Sequence, residues 1–167
     1  MIAAARLLEQ RRVPVRIRFV GDGPEKQSLI CFAEDLKSVS FEAPVPKAQI
    51  PDLMAEADAI LLSLKDVPLF RYGVSPNKLY DAYALGRPVI TTVAGAINQE
   101  VEDYRLGVTA PPGDPQALAA AIKRLMDTPN SERQAMAHRA IELAQSTYSR
   151  QRINAEYNTL LRGVIGA

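Results

Sequence analysis

"GVSPNKLYDAYALGRPVI", residues 73–90, reads as one helix followed by one strand. Ser75 suits an N-cap, and Pro76 suits the first helical position, where a missing N–H costs nothing. Leu79, Ala82, Tyr83 and Gly86 recur at i, i+3, i+4 and i+7, which predicts a single packing face. Gly86 supplies the positive φ that ends a helix, and Pro88 forbids its continuation. "RPVITTV" then has the apolar, β-branched make-up of a strand.

The same alternation continues on both sides. Upstream, "MIAAARLLEQ" is rich in strong helix formers, and "VRIRFV" alternates before the turn "GDGP". "EKQSLICFAEDL" reads as a helix, "VSFE" as a short strand and "IPDLMAEA" as a helix with Pro51 near its start. "DAILLSL" is a continuous apolar run, as for a strand buried on both faces. Downstream, "NQEVEDYRLG" predicts a short helix ending near Gly107, and "VTA" a brief strand. "DPQALAAAIKRLMD" opens with Asp114 as cap and Pro115 in the first turn. A helix starting at Ser131 and a last one through "RINAEYNTLLRGV" follow. Strands alternating with helices imply right-handed βαβ units. The expected fold is therefore α/β, a Rossmann-like doubly wound parallel sheet with extra C-terminal helices. Residues 1–167 form one domain, and ligands bind at a switch point of strand order. Such domains open on a strand, whereas this chain opens on a helix; the expectation is a fragment whose first strand lies upstream.

The start of the 75–86 helix can do chemistry. Amides of Asn77, Lys78 and Leu79 point out of the helix end where the dipole is positive, and Lys78 adds a full charge. A diphosphate is favoured there. Helical side chains lean toward the N-terminus, so Asp81 leans over Asn77 and Lys78, where a carboxylate suits ribose hydroxyls. A second reading stays open: Lys78 and Asp81 are an i, i+3 pair that could neutralise each other for about 0.3 kcal/mol.

Composition excludes several classes. The 20 basic and 19 acidic residues leave a net charge of +1, so no field holds a nucleic-acid backbone. Aromatics are 6% of the chain and Trp is absent, which argues against a base-stacking platform. A single cysteine, Cys31, excludes an internal disulfide framework and reads as a buried structural thiol. No apolar run approaches the roughly 20 residues of a membrane span, and the expected location is the cytoplasm. No His, Cys or carboxylate cluster has metal-ligand spacing, and His138, in a late amphipathic helix, reads as surface or packing. "GDGP" lacks the third glycine of a dinucleotide fingerprint, Lys26 standing there. Gly21 and Gly23 form either a tight turn or a phosphate cradle. Glu100 is either a group facing a cleft or a solvated acid.

Four pieces in order, "FVGDGPEKQSL", "VSFEAPVPKAQIPDLMAEADAILLSL", "SPNKLYDAYALGRPVITT" and "AGAINQEVEDYRLGVTAPPGDPQALAAAI", carry a resemblance. From Phe19 to about Pro112 the chain resembles the nucleotide-sugar-binding, C-terminal half of GT-B-fold retaining glycosyltransferases, family 4-like (group 1 glycosyl transferases). The resemblance implies the donor-binding domain of a hexosyltransferase of bacterial polysaccharide biosynthesis. Its donor would be a nucleoside-diphosphate sugar such as a UDP-sugar, with retention of configuration and no metal or other cofactor. Asp81 takes the place of the second Glu of the group's Glu-x7-Glu motif, which holds the ribose. Gly73 takes the place of the first, which touches the transferred sugar, so that contact must differ here. Asn77, Lys78 and Leu79 match positions whose amides meet the diphosphate, and the segment Ala43 to Pro46, including Val45, matches the place of the base. Ser75 and the glycines Gly21 and Gly23 complete the implied donor site. The basic pair that clamps the leaving diphosphate and the acceptor-binding N-terminal domain would lie upstream, and any membrane contact would go through that half. A fragment of this kind should be inactive alone. The alternatives are a non-catalytic nucleotide-sugar-binding or regulatory module, and a GT-B-type sugar epimerase.

Overall fold

The computed structural model describes residues 1–166, apart from the side chains at 71, 72 and 165. Helices and strands alternate from α1 (Ile2–Gln10) and β1 (Ile17–Val20) through α2 (Lys26–Phe32) and β2 (Val39–Glu42). A 3-10 turn, Lys47–Gln49, leads into α3 (Ile50–Ala55) and β3 (Ile60–Leu62). The connection that follows holds a five-residue helix, α4 (Pro68–Tyr72), which the sequence reading lacked. Then come α5 (Asn77–Ala84), β4 (Val89–Thr91), α6 (Ala96–Asp103) and β5 (Gly107–Thr109). Three helices close the chain: α7 (Pro115–Asp127), α8 (Asn130–Ser146) and α9 (Arg150–Ile165).

Every strand pair is parallel, as the alternation requires. β1 pairs with β2, Ile17 opposite Val39, and β4 lies between β3 and β5, with Val89 opposite both Ile60 and Gly107. Hydrogen bonding stops between β1 and β3, so the described strands form a pair and a triplet. The Ile17 amide bonds to Ser38 on the β2 side, and backbone alternation turns the amides of Arg18 and Val20 toward the unpaired edge.

The triplet is covered on both faces, which explains its continuous apolar sequence. Ile60, Leu62 and Val89 pack with Leu79 and Tyr83 of α5, Ile97 and Val101 of α6, and Ala140 and Leu143 of α8. The intervening Leu61 and Ile90 point the other way, into a core built with Ala4 and Leu8 of α1 and Leu118, Ile122 and Leu125 of α7. β1 and β2 instead alternate. Ile17, Phe19, Val39 and Phe41 pack with Ile2 and Ala5 of α1 and with Ala33 and Leu36. Phe19 and Phe41 stack at 5.0 Å. Arg16, Arg18, Ser40 and Glu42 line an open polar groove on the opposite face. Arg18 grips the Glu42 carboxylate at 2.8 and 2.9 Å and reaches Glu56, between α3 and β3, at 2.9 Å, tying pair to triplet.

Cys31 is exposed rather than buried. The reason is the short span of α2, which packs by its Leu29 and turns Cys31 and Phe32 to solvent. Asp114 caps α7 as expected, accepting from the Ala117 amide at 2.9 Å.

Candidate functional site

A parallel sheet puts the carboxyl ends of all its strands on one edge, and in α/β domains ligands bind there. The turn at Gly21–Gly23 follows β1, the Ala43–Pro46 segment follows β2, and the 63–76 connection leads from β3 to the start of α5. The glycine turn and the Ala43–Pro46 segment thus lie at the carboxyl ends of the pair, and Gly73, Ser75 and the start of α5 follow the carboxyl end of β3 in the triplet. A small recess opens here among Lys65, Phe70, Thr92, Val93 and Pro112. Its floor is tied by the Thr92 hydroxyl, which donates to Ser63 at 2.9 Å and so joins the ends of β4 and β3.

The start of α5 differs in detail from the sequence reading. Pro76, with extended backbone, occupies the N-cap position, and no side chain caps the helix. Ser75 is displaced from that duty; its hydroxyl donates instead to the Tyr80 phenol oxygen at 3.2 Å. The Leu79 amide is also taken, by the Pro76 carbonyl at 2.9 Å, and the Leu79 side chain is buried. The amides of Asn77 and Lys78 have no such partner among the described residues, so two donors remain where three were expected. The side chains of Asn77, Lys78 and Asp81 are all exposed. No ion pair joins Lys78 to Asp81 among the described residues, and both side chains are exposed. Gly73 takes a φ of 155°, and a β-carbon there would meet nothing within 4 Å.

The glycine turn after β1 is satisfied internally. The Gly21 amide reaches the Glu42 carbonyl at 3.4 Å, and the Gly23 amide is bound by the Asp22 carboxylate at 2.8 Å. Both amides thus have partners at the turn itself. The residue that sequence reasoning passed over here is Lys26. Its ammonium donates to the carbonyls of Gly21 and Glu42, both at 2.7 Å, clamping the ends of β1 and β2 together. A lysine opening the helix five residues after the glycine that ends a strand was the available signal. Ala43 is exposed and Val45 half-buried at the end of β2.

Glu100, on α6, is half-buried and engaged by two phenols rather than a freely solvated acid. Its carboxylate accepts from the Tyr83 hydroxyl at 3.0 Å and, through its other oxygen, from the Tyr148 hydroxyl. Burial, the Glu100 charge and the hydrogen bond push the Tyr83 phenol far above its ordinary range, and the same influences raise Tyr148. Tyr80 packs on both rings, 4.7 Å from Tyr148 and 6.5 Å from Tyr83. His138 is exposed on α8, remote in sequence from this edge. Among the described residues, no three His, Cys, Asp or Glu side chains are placed to hold a metal ion together, and no helix is long and apolar enough to cross a membrane.

Known proteins share both the fold and the sequence. The chain superposes on a glycosyltransferase from Rickettsia africae with a TM-score of 0.80, 13% identity, 98% of this chain and 44% of that one covered. On Anabaena Alr3699/HepE, solved in complex with UDP-glucose, it superposes with a TM-score of 0.72 at 20% identity, over 96% of this chain and 52% of that one. In sequence it is 30% identical, over 98% of its length, to WcaL of Salmonella typhimurium, a glycosyltransferase named for colanic acid biosynthesis; the match covers 41% of that relative. It is 33% identical over 74% of its length to the amylovoran biosynthesis glycosyltransferase AmsK of Erwinia amylovora, of which 31% is covered. The chain thus spans about two fifths or less of these curated relatives. A family model for "Glycosyl transferases group 1" matches residues 1–128. With parallel βαβ order, a helix start open at the strand-end edge and this match over most of its length, the chain belongs to the group 1 glycosyl transferases.

Proposed function

We propose that this chain binds the donor of a sugar-transfer reaction, a nucleoside-diphosphate hexose, within an enzyme that retains anomeric configuration. The single observation that carries this reading is the start of α5. There, the Asn77 and Lys78 amides lack partners among the described residues, and the Lys78 ammonium and Asp81 carboxylate are exposed on the same short helix with no ion pair between them. Dipole and ammonium favour a diphosphate, and the carboxylate suits ribose hydroxyls. Ala43 and Val45 would flank the base. Gly73 leaves open space where a side chain could meet the sugar. Donor recognition needs no metal or cofactor from these residues. Catalysis would be largely electrostatic, by stabilising charge on the leaving diphosphate. The acceptor half would come from the rest of a longer polypeptide, together with a further strand for which β1 and β3 each have an unpaired edge among the described residues.

The experiment is titration calorimetry of the chain with uridine, guanosine and adenosine diphosphates. At least one should bind at millimolar concentration or better. Asp81→Ala should abolish that binding. Lys78→Ala should weaken it and flatten its dependence on salt, because an ion–phosphate contact is screened. No binding of any of the three diphosphates to the unmodified chain would overturn the reading.

A further inference from the structure

Ser75 gives up the capping role its residue type favours and spends its hydroxyl on Tyr80. That choice has a chain of supports behind it. Tyr80 lies on the second turn of α5, its ring 4.7 Å from Tyr148 and 6.5 Å, edge-on, from Tyr83. The hydroxyls of those two outer tyrosines are held by the two oxygens of one carboxylate, Glu100. Tyr83 is fully buried and Glu100 half-buried, so the carboxylate's bonds form in a low-dielectric setting where they are strong and directional. The outcome is an aromatic block joining α5, α6 and Tyr148, two residues beyond α8, with one further arm, the Tyr80 hydroxyl, meeting Ser75. Ser75 immediately precedes Pro76, whose carbonyl takes the Leu79 amide and thereby leaves Asn77 and Lys78 as the open donors.

We propose that Tyr80, braced by Tyr148 and Glu100, is a positioning residue for the donor's diphosphate: by holding Ser75 it fixes the segment that aims the Asn77 and Lys78 amides. The inference rests on the donor-binding reading above. Ring packing supplies stability and the hydroxyl supplies aim, so the two contributions separate when the hydroxyl alone is removed. Tyr80→Phe keeps the stacked ring and cuts the link to Ser75; Ser75→Ala cuts the same link from the other side.

The test compares the unmodified chain, both single variants and the double variant, measuring affinity for uridine, guanosine and adenosine diphosphates, for the corresponding nucleosides, and the melting temperature. Each single variant should lose about tenfold in diphosphate affinity, the scale of one charge-assisted hydrogen bond. Nucleoside affinity and melting temperature should hold. The double variant should lose no more than either single one, since both remove one shared link. Unchanged diphosphate affinity in Tyr80→Phe, additive losses in the double variant, or an equal loss for the nucleoside would each overturn the positioning role and leave the donor site standing. Failure of the unmodified chain to bind any diphosphate would instead overturn the donor reading, and this proposal with it.

Discussion

A β-carbon placed on Gly107 would lie 1.9 Å from the Val89 carbonyl oxygen and 2.7 Å from the Val89 nitrogen. The obstacle is the backbone of the neighbouring strand, which cannot swing aside as a side chain can. Gly107→Ala should therefore cost at least about 3 kcal/mol of unfolding free energy, the upper range for an overpacked site, measured by urea denaturation. A loss below about 1 kcal/mol would mean that β4 and β5 part easily. The sequence reading gave Gly107 a different duty, ending the helix before it. The structure ends α6 at Asp103 and assigns the left-handed turn to Arg105, at a φ of 52°. Arginine carries no sequence signal for that conformation, so the glycine nearby took the credit. Gly86 shows the converse. Its helix-ending role was legible and its φ is 61°, but its second constraint, Ile141 lying 2.9 Å from where a β-carbon would go, belongs to a helix far along the chain.

At the scale of elements, legibility followed the period. The face of α5 was readable because Leu79, Ala82 and Tyr83 repeat helically, and all three are buried. α4 was not, since five residues between two loops carry no periodic signal. The open charges at the start of α5 were legible for the same local reason, whereas the brace behind them was not: Tyr148 and Glu100 lie 48 residues apart. That brace has a consequence in alkali. Tyr83 and Tyr148 release their protons less readily in the folded chain than the ordinary phenol, at 10.0, does. A raised folded-state pKa leaves stability intact below the unfolded value and erodes it as pH rises beyond. The urea midpoint should stay level from about pH 7 to about pH 9 and fall above about pH 10. Tyr148→Phe should shallow that fall. An identical alkaline slope in the variant would show that other groups set it.

Across the whole molecule, the parallel α/β plan followed from the order of helices and strands alone, because only crossovers of one hand return such strands to a common sheet. The break between β1 and β3 did not follow, as strand order says nothing of which neighbours lack a partner. Nor did the uncovered polar face of β1 and β2, although Arg16, Arg18, Ser40 and Glu42 alternate with apolar residues just as a one-sided sheet requires.

α1 presents Ala4 and Leu8 to the core of the triplet and Ile2 and Ala5 to the core of the pair, with Ala4, Ala5 and Leu8 wholly inaccessible. A rod embedded in two hydrophobic masses cannot leave one without disturbing the other. Heat should consequently dissolve both in concert. Scanning calorimetry should record one endotherm whose van't Hoff and calorimetric enthalpies agree; two resolved peaks would mean that α1 does not weld the halves together.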